Sequence, residues 1–112
     1  MEKKLLIKFK DRDKEFNFFE EDFDRIKYYC LNECMGIQFM VSAEFIISLV
    51  KNLKSLGIKP PFEENHFLSK ESIDFLEKSG ELKKMENNFG TKDLKVVLPL
   101  AIKQSYNFLH KK

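Results

Sequence analysis

The fold is decided by residues 5–18, which read LLIKFKDRDKEFNF. Apolar residues occupy alternate positions on both sides of the polar segment 11–14. A period of two is typical of a strand that buries one face, and a short polar segment between two such strands is typical of a turn. The stretch therefore predicts an antiparallel β-hairpin, with a buried face made of Leu5, Ile7, Phe9, Phe16 and Phe18.

Helices must cover that face, because an isolated hairpin is only marginally stable. Apolar residues recur at helical spacing through the rest of the chain, and small polar residues stand where helices would begin. The pattern predicts about four helices: one over residues 20–35, one over 42–56 with Ser42 as its N-cap, and two more capped by Ser69 and Thr91. We therefore expect residues 1–112 to form a single α+β domain, with the N-terminal hairpin packed against these helices.

Three segments leave alternatives open. Ile37–Val41 is short and apolar, and it fits either a third strand or the lead-in to a helix. Residues 81–87 are long enough to add one or two turns after the Ser69-capped helix. The last helix contains Pro99, and a proline inside a helix costs about 3 kcal/mol. We favour a kinked helix, because the apolar positions continue through Pro99 in phase; the alternative is a strand over Leu94–Leu98 and a helix that begins at Pro99.

The composition is that of a globular protein rather than a disordered one, with 43% hydrophobic and 34% charged residues. No apolar stretch reaches the ~18 residues that a transmembrane helix needs. The first residues also lack the apolar core of about 7–15 residues that a secretory signal needs. We therefore expect a soluble protein of the cytoplasm that does not associate with membranes. The net charge of +2 is too small to mark an obligate nucleic-acid binder.

Two cysteines and two histidines are the candidate metal ligands. Cys30 and Cys34 lie four residues apart, as two ligands on one helix would, and His66 and His110 would have to complete a zinc site. The spacing lacks the paired short-range motif of zinc proteins, so we interpret the cysteines as reduced residues on an apolar helix face. We therefore expect neither a metal site nor a cofactor.

A calcium loop and a catalytic motif are also absent from the sequence. Asp11, Asp13 and Glu15 have the spacing of the first calcium ligands, but Phe16 stands where such a loop needs glycine for its sharp turn. A solvated hairpin turn is the better interpretation. No nucleophile elbow and no glycine-rich phosphate loop occur, so we expect a protein that is not an enzyme.

An acidic segment with neighbouring aromatic residues is the strongest candidate for a binding surface. The simple interpretation is that these carboxylates favour the positive end of a helix. The functional interpretation is a surface for a basic protein partner, since carboxylates steer association and aromatic side chains anchor it. The loop 59–67 contributes a second aromatic, because two prolines stiffen it and lower the entropy lost on binding. The predicted partner-binding residues are Glu20, Glu21, Asp22, Asp24, Tyr28 and Phe62.

The basic last helix gives the alternative, a small regulator that binds DNA or RNA. Lysines neutralise phosphates and an exposed aromatic can stack on a base. The candidate residues are Lys92, Lys95, Lys103 and Tyr106. The helix offers no arginine, which is the commonest specific reader of bases, and a solvated lysine face explains the same pattern. We therefore rank this function second.

The function expected from the sequence is that of a small non-enzymatic inhibitor. An immunity protein that neutralises a toxin, or an antagonist of a nuclease, would have this size and this kind of acidic surface. The richness in Lys, Ile, Asn and Phe is associated with AT-rich coding genomes and favours a bacterial or phage origin. We expect a monomer or a homodimer, since the helix over 42–56 is apolar on more than one side.

Overall fold

The computed structural model describes residues 4–32 and 37–110, without the side chains of residues 37–39. Within these ranges the chain is α+β, with three strands and six helices. The helix count is therefore six rather than the expected four. The elements are β1 (Leu5–Asp11), β2 (Lys14–Phe19), α1 (Glu20–Leu31), α2 (Ile37–Ser55), β3 (Phe62–Glu63), α3 (Glu64–Phe67), α4 (Lys70–Lys78), α5 (Glu81–Phe89) and α6 (Leu94–Leu109).

The predicted hairpin is confirmed, and it forms two strands of a three-stranded sheet with the order β2-β1-β3. β1 and β2 are antiparallel, and the pair Asp11 and Lys14 closes a two-residue turn in which Arg12 has a φ of 59°. β3 lies parallel to β1 and pairs Phe62 with Ile7. The third strand is therefore formed by Phe62–Glu63 and not by Ile37–Val41. Ile37–Val41 lies within α2, so the strand alternative for that segment is wrong.

A β-bulge alters the buried face of β1. Leu5 pairs with Phe19 and Ile7 pairs with Phe18. An advance of two residues along β1 therefore corresponds to an advance of only one residue along β2. The additional residue, Leu6, is 1% exposed, whereas Leu5 is only half-buried. Because a bulge interrupts the alternation of side chains, it brings two consecutive residues, Leu6 and Ile7, into the core. The expectation that Leu5 belongs to the buried face is therefore wrong, and Leu6 takes its place in the core.

Helix α2 is central, because it contacts α1, α3, α4 and α6. Its apolar faces are covered on these sides, which removes the reason for expecting a dimer through this helix. Ser42 is not an N-cap, since α2 begins five residues earlier at Ile37. Ser42 is fully buried, and its hydroxyl donates a hydrogen bond to the Gln104 side-chain oxygen of α6. The buried apolar residues of α2 are Ala43, Phe45, Ile46, Leu49, Val50 and Leu53.

The C-terminus of α2 ends in a Schellman motif around Gly57, as the sequence predicts for a terminating glycine. The Gly57 N–H donates to the Lys54 carbonyl at 3.0 Å, and the Ile58 N–H donates to the Leu53 carbonyl at 3.1 Å. Gly57 has a φ of 82°, a left-handed conformation that is strained for any residue with a Cβ. These two bonds satisfy carbonyls that would otherwise lack partners at the helix end.

The last three helices differ from the sequence pattern in two places, since residues 81–89 form a separate helix, α5, and the N-cap of α6 is not Thr91. Ser69 caps α4, since its hydroxyl accepts the Ser72 N–H at 3.2 Å. The N-cap of α6 is Asp93 rather than Thr91, because the Asp93 carboxylate accepts the Lys95 N–H at 3.0 Å. α6 runs through Pro99 without interruption, so the strand alternative for Leu94–Leu98 is wrong. The in-phase positions on one side of α6 are all buried: Leu94, Val97, Leu98, Ala101, Ile102, Ser105 and Leu109.

Helix α1 is shorter than predicted. It ends at Leu31 with Asn32 as its C-cap, whereas the pattern predicted an end at Met35. Met35, Gly36 and Cys34 lie outside the described residues. No helix within 4–32 and 37–110 is long and apolar enough to cross a membrane.

Candidate protein-binding surface

The outer side of α1 presents a continuous acidic and apolar stripe, which we call the α1 acidic face. Glu20, Asp24, Tyr28 and Leu31 follow one another at three or four residues, and Glu21 lies three residues before Asp24, so all five share one side of the helix. Glu21 and Asp24 are exposed and Glu20 is half-buried. Tyr28 is 60% exposed and Leu31 is 84% exposed. The α1 acidic face thus consists of Glu20, Glu21, Asp24, Tyr28 and Leu31.

The body of the fold holds this helix in place from the opposite side. Phe23 and Ile26 are buried against the core. The Arg25 guanidinium donates to the Leu109 carbonyl at 3.4 Å, which ties α1 to the C-terminus of α6. The Tyr29 ring packs edge-on against Phe108, with centroids 5.5 Å apart. Because these contacts fix α1, the α1 acidic face has a defined geometry before any partner arrives.

Asp22 belongs to the interior side of α1 and not to the candidate surface. The residue is 9% exposed, and its carboxylate accepts the Phe19 N–H at 2.8 Å. This bond satisfies a backbone donor at the helix start, where such donors have no partner within the helix. The second carboxylate oxygen lies 3.8 Å from the Arg25 guanidinium. The prediction that Asp22 contacts a partner is therefore withdrawn, since its carboxylate is buried and already hydrogen-bonded.

Phe62 is also removed from the candidate surface, because it is 0% exposed. β3, an edge strand, pairs it with Ile7 of the central strand β1, and its ring lies 6.4 Å from that of Phe67. The expectation of an outward aromatic on a stiff loop is wrong for this residue. The two prolines before it instead lead the chain into a strand whose first side chain enters the core.

Charge on the α1 acidic face is partly balanced by cations of the same helix. The Asp24 carboxylate lies 3.9 Å from the Lys27 ammonium, and that ammonium also lies 5.3 Å from the centre of the Phe23 ring. Exposed ion pairs of this kind contribute about 0–1 kcal/mol, so a cation on a partner can replace Lys27 at little cost. The Asp24 carboxylate is therefore available for recognition.

The structure does not gather the predicted nucleic-acid-binding residues into one surface. Lys92 and Lys95 are exposed at the start of α6. Lys103 instead forms an ion pair with Asp11 of the hairpin, and the hydrogen bond from Lys103 lowers the pKa of the Asp11 carboxyl. Tyr106 is half-buried, so only part of its ring is open to solvent.

Neighbouring rings enclose Tyr106 on several sides. Its ring centre lies 5.1 Å from that of Phe16 and 6.0 Å from that of Phe18, both in edge-on geometry. The His110 ring stacks on it at 4.0 Å. A base would therefore have to displace His110 to stack on this ring.

The candidate metal ligands have local structural roles. The His66 Nδ1 accepts the Glu63 N–H at 3.0 Å, and the His110 Nδ1 donates to the Tyr106 carbonyl at 2.9 Å. Cys30 is half-buried; burial, with a smaller effect of the Glu44 carboxylate, raises the pKa of its thiol and so disfavours a reactive thiolate. In the part of the chain that the structure describes, no three His, Cys, Asp or Glu residues are grouped as metal ligands.

Sequence reasoning missed the most exposed apolar residues. Leu31 is not among the predicted partner-binding residues, yet it is 84% exposed. Its position seven residues after Asp24 was the available signal, because that spacing returns to the same side of a helix. Val96 and Leu100 are also exposed, at 57% and 44%, on the side of α6 away from the core. No protein-family model, no curated protein and no solved structure matches this chain.

Proposed function

We propose that this chain is a small non-enzymatic inhibitor, of bacterial or phage origin and acting in the cytoplasm, that binds a protein with a basic surface. An immunity protein or an antagonist of a nuclease would work in this way. The observation that carries the proposal is the 60% exposure of Tyr28 between Asp24 and Leu31 on the α1 acidic face. A soluble surface gains nothing from exposing a tyrosine and a leucine side by side, whereas an interface uses such residues as anchors.

The acidic residues supply the second half of this recognition. Glu20, Glu21 and Asp24 lie on the N-terminal half of the face, and the apolar anchors lie on its C-terminal half. Carboxylates at the edge of an interface raise the association rate with a basic partner, because they steer the encounter over several ångströms. The proposed partner therefore presents lysines or arginines beside an apolar pocket.

Protein binding is better supported than nucleic-acid binding. The α1 acidic face would repel phosphates, and the lysine face of α6 is interrupted by Val96 and Leu100. Lys103 is already engaged with Asp11, which leaves Lys92 and Lys95 as the exposed lysines among the four residues considered. Two phosphate contacts give weak affinity at physiological salt, since each neutralised phosphate adds only a modest increment.

Affinity capture from native lysate, with and without nuclease treatment, tests the proposal. The Tyr28→Ala and Leu31→Ala double variant is compared with Phe75→Ala, a matched control because Phe75 is another exposed apolar residue, on α4. We expect one stoichiometric protein on the wild type and on the control, and a loss of at least about tenfold on the double variant, which corresponds to removing interface anchors. Equal recovery on all three would contradict the proposed surface. Recovery that disappears after nuclease treatment would favour the nucleic-acid function instead.

A charge reversal separates steering from anchoring once the partner is captured. Glu21→Lys with Asp24→Lys should slow association by about tenfold or more at low salt and leave dissociation nearly unchanged. The measurement is surface plasmon resonance at two salt concentrations. An association rate that is unchanged by the charge reversal and by the salt concentration would show that the acidic residues have no part in recognition.

A further inference from the structure

We draw no further inference here: the strongest candidate, the groove of about 200 Å³ between α2 and α4 beside the exposed Phe75 ring, carries none, because the unpartnered side-chain oxygen of Asn52 in its lining is closed to solvent and cannot meet a ligand there.

Discussion

Lys103 shows how one side chain can move from a presumed binding role to a structural one. Its ammonium bridges from α6 to Asp11 at the end of β1, next to the hairpin turn. The hydrogen bond from Lys103 is the largest effect on the Asp11 carboxyl and lowers its pKa. The pair therefore fastens the tip of the hairpin to the helix that covers it, and it makes part of the folding stability depend on pH.

That pH dependence has a definite sign. The pKa of Asp11 is lower in the folded chain than its ordinary value of about 3.9, so the pair stabilises the fold fully above that value. The stabilisation is lost as pH falls through the lowered pKa. Lys103→Gln should reduce the free energy of unfolding at pH 7 and pH 5, and the difference from wild type should shrink below about pH 4. Urea denaturation of both proteins at a series of pH values measures this difference in the free energy of unfolding.

Lys95→Gln is the matched control for this experiment. It removes the same charge from the same helix, but the described residues include no ion pair of Lys95. We expect its difference from wild type to stay flat over the same pH range. A difference for Lys103→Gln that is equally flat, or that grows in acid, would contradict the role assigned to the pair.

Single residues were the hardest features to place from the sequence. Asp22 and Asp24 are chemically identical and two positions apart, yet one caps the helix inside the fold and the other faces solvent. Helical spacing separates them in principle, because Asp22 falls on the side of Ile26 rather than that of Tyr28. Composition alone, which grouped all the carboxylates as one surface, could not make this distinction.

At the scale of elements, the end of α2 follows the local rule that a glycine in the left-handed conformation terminates a helix. A left-handed residue is required at position 57, and Gly57→Ala should lower the free energy of unfolding by about 1 kcal/mol, because alanine is strained at a φ of 82°. Thermal or urea denaturation gives this value directly.

Ser55→Ala provides the comparison, since Ser55 is exposed in the last turn of the same helix. Its effect should remain within about 0.5 kcal/mol, as is usual for surface positions. If Gly57→Ala were equally mild, the Schellman motif would contribute little to the end of α2.

Elements with a strong period were predicted well, and elements set by distant contacts were not. The hairpin and the buried face of α6 follow from the spacing of apolar residues alone. That spacing continues in phase through Pro99, and it correctly predicted one continuous helix there despite the proline. Three consecutive apolar residues, Leu5–Ile7, interrupt the alternation of β1, but the sequence does not show which of them enters the core, because that depends on how β2 pairs. β3 has two residues, too few for any period, and its position follows only from its pairing with Ile7.

At the scale of the whole molecule, Phe62 links the second half of the chain to the sheet. It is fully buried between β1 and α3, so Phe62→Ala should cost about 3–5 kcal/mol through lost burial and the cavity left behind. A loss of this size is a large share of the stability of a small domain, for which about 5–15 kcal/mol is typical. The measurement is again urea denaturation.

Phe75→Ala makes the same chemical change at a residue that is 41% exposed. It should cost clearly less than Phe62→Ala, because part of the ring is already in water and its removal opens no closed cavity. Similar losses for the two variants would mean that β3 is not part of the core.

The packing of α6 against β2 and α1 has a consequence for synthesis on the ribosome. The hairpin emerges before α6, but Phe16 and Phe18 pack against Tyr106 of that helix, and Arg25 reaches a carbonyl 84 residues further along the chain. Until that helix has left the exit tunnel, these apolar surfaces have no native cover. The nascent chain is then most exposed to aggregation and to chaperone capture, and its native state closes only when translation of α6 is complete.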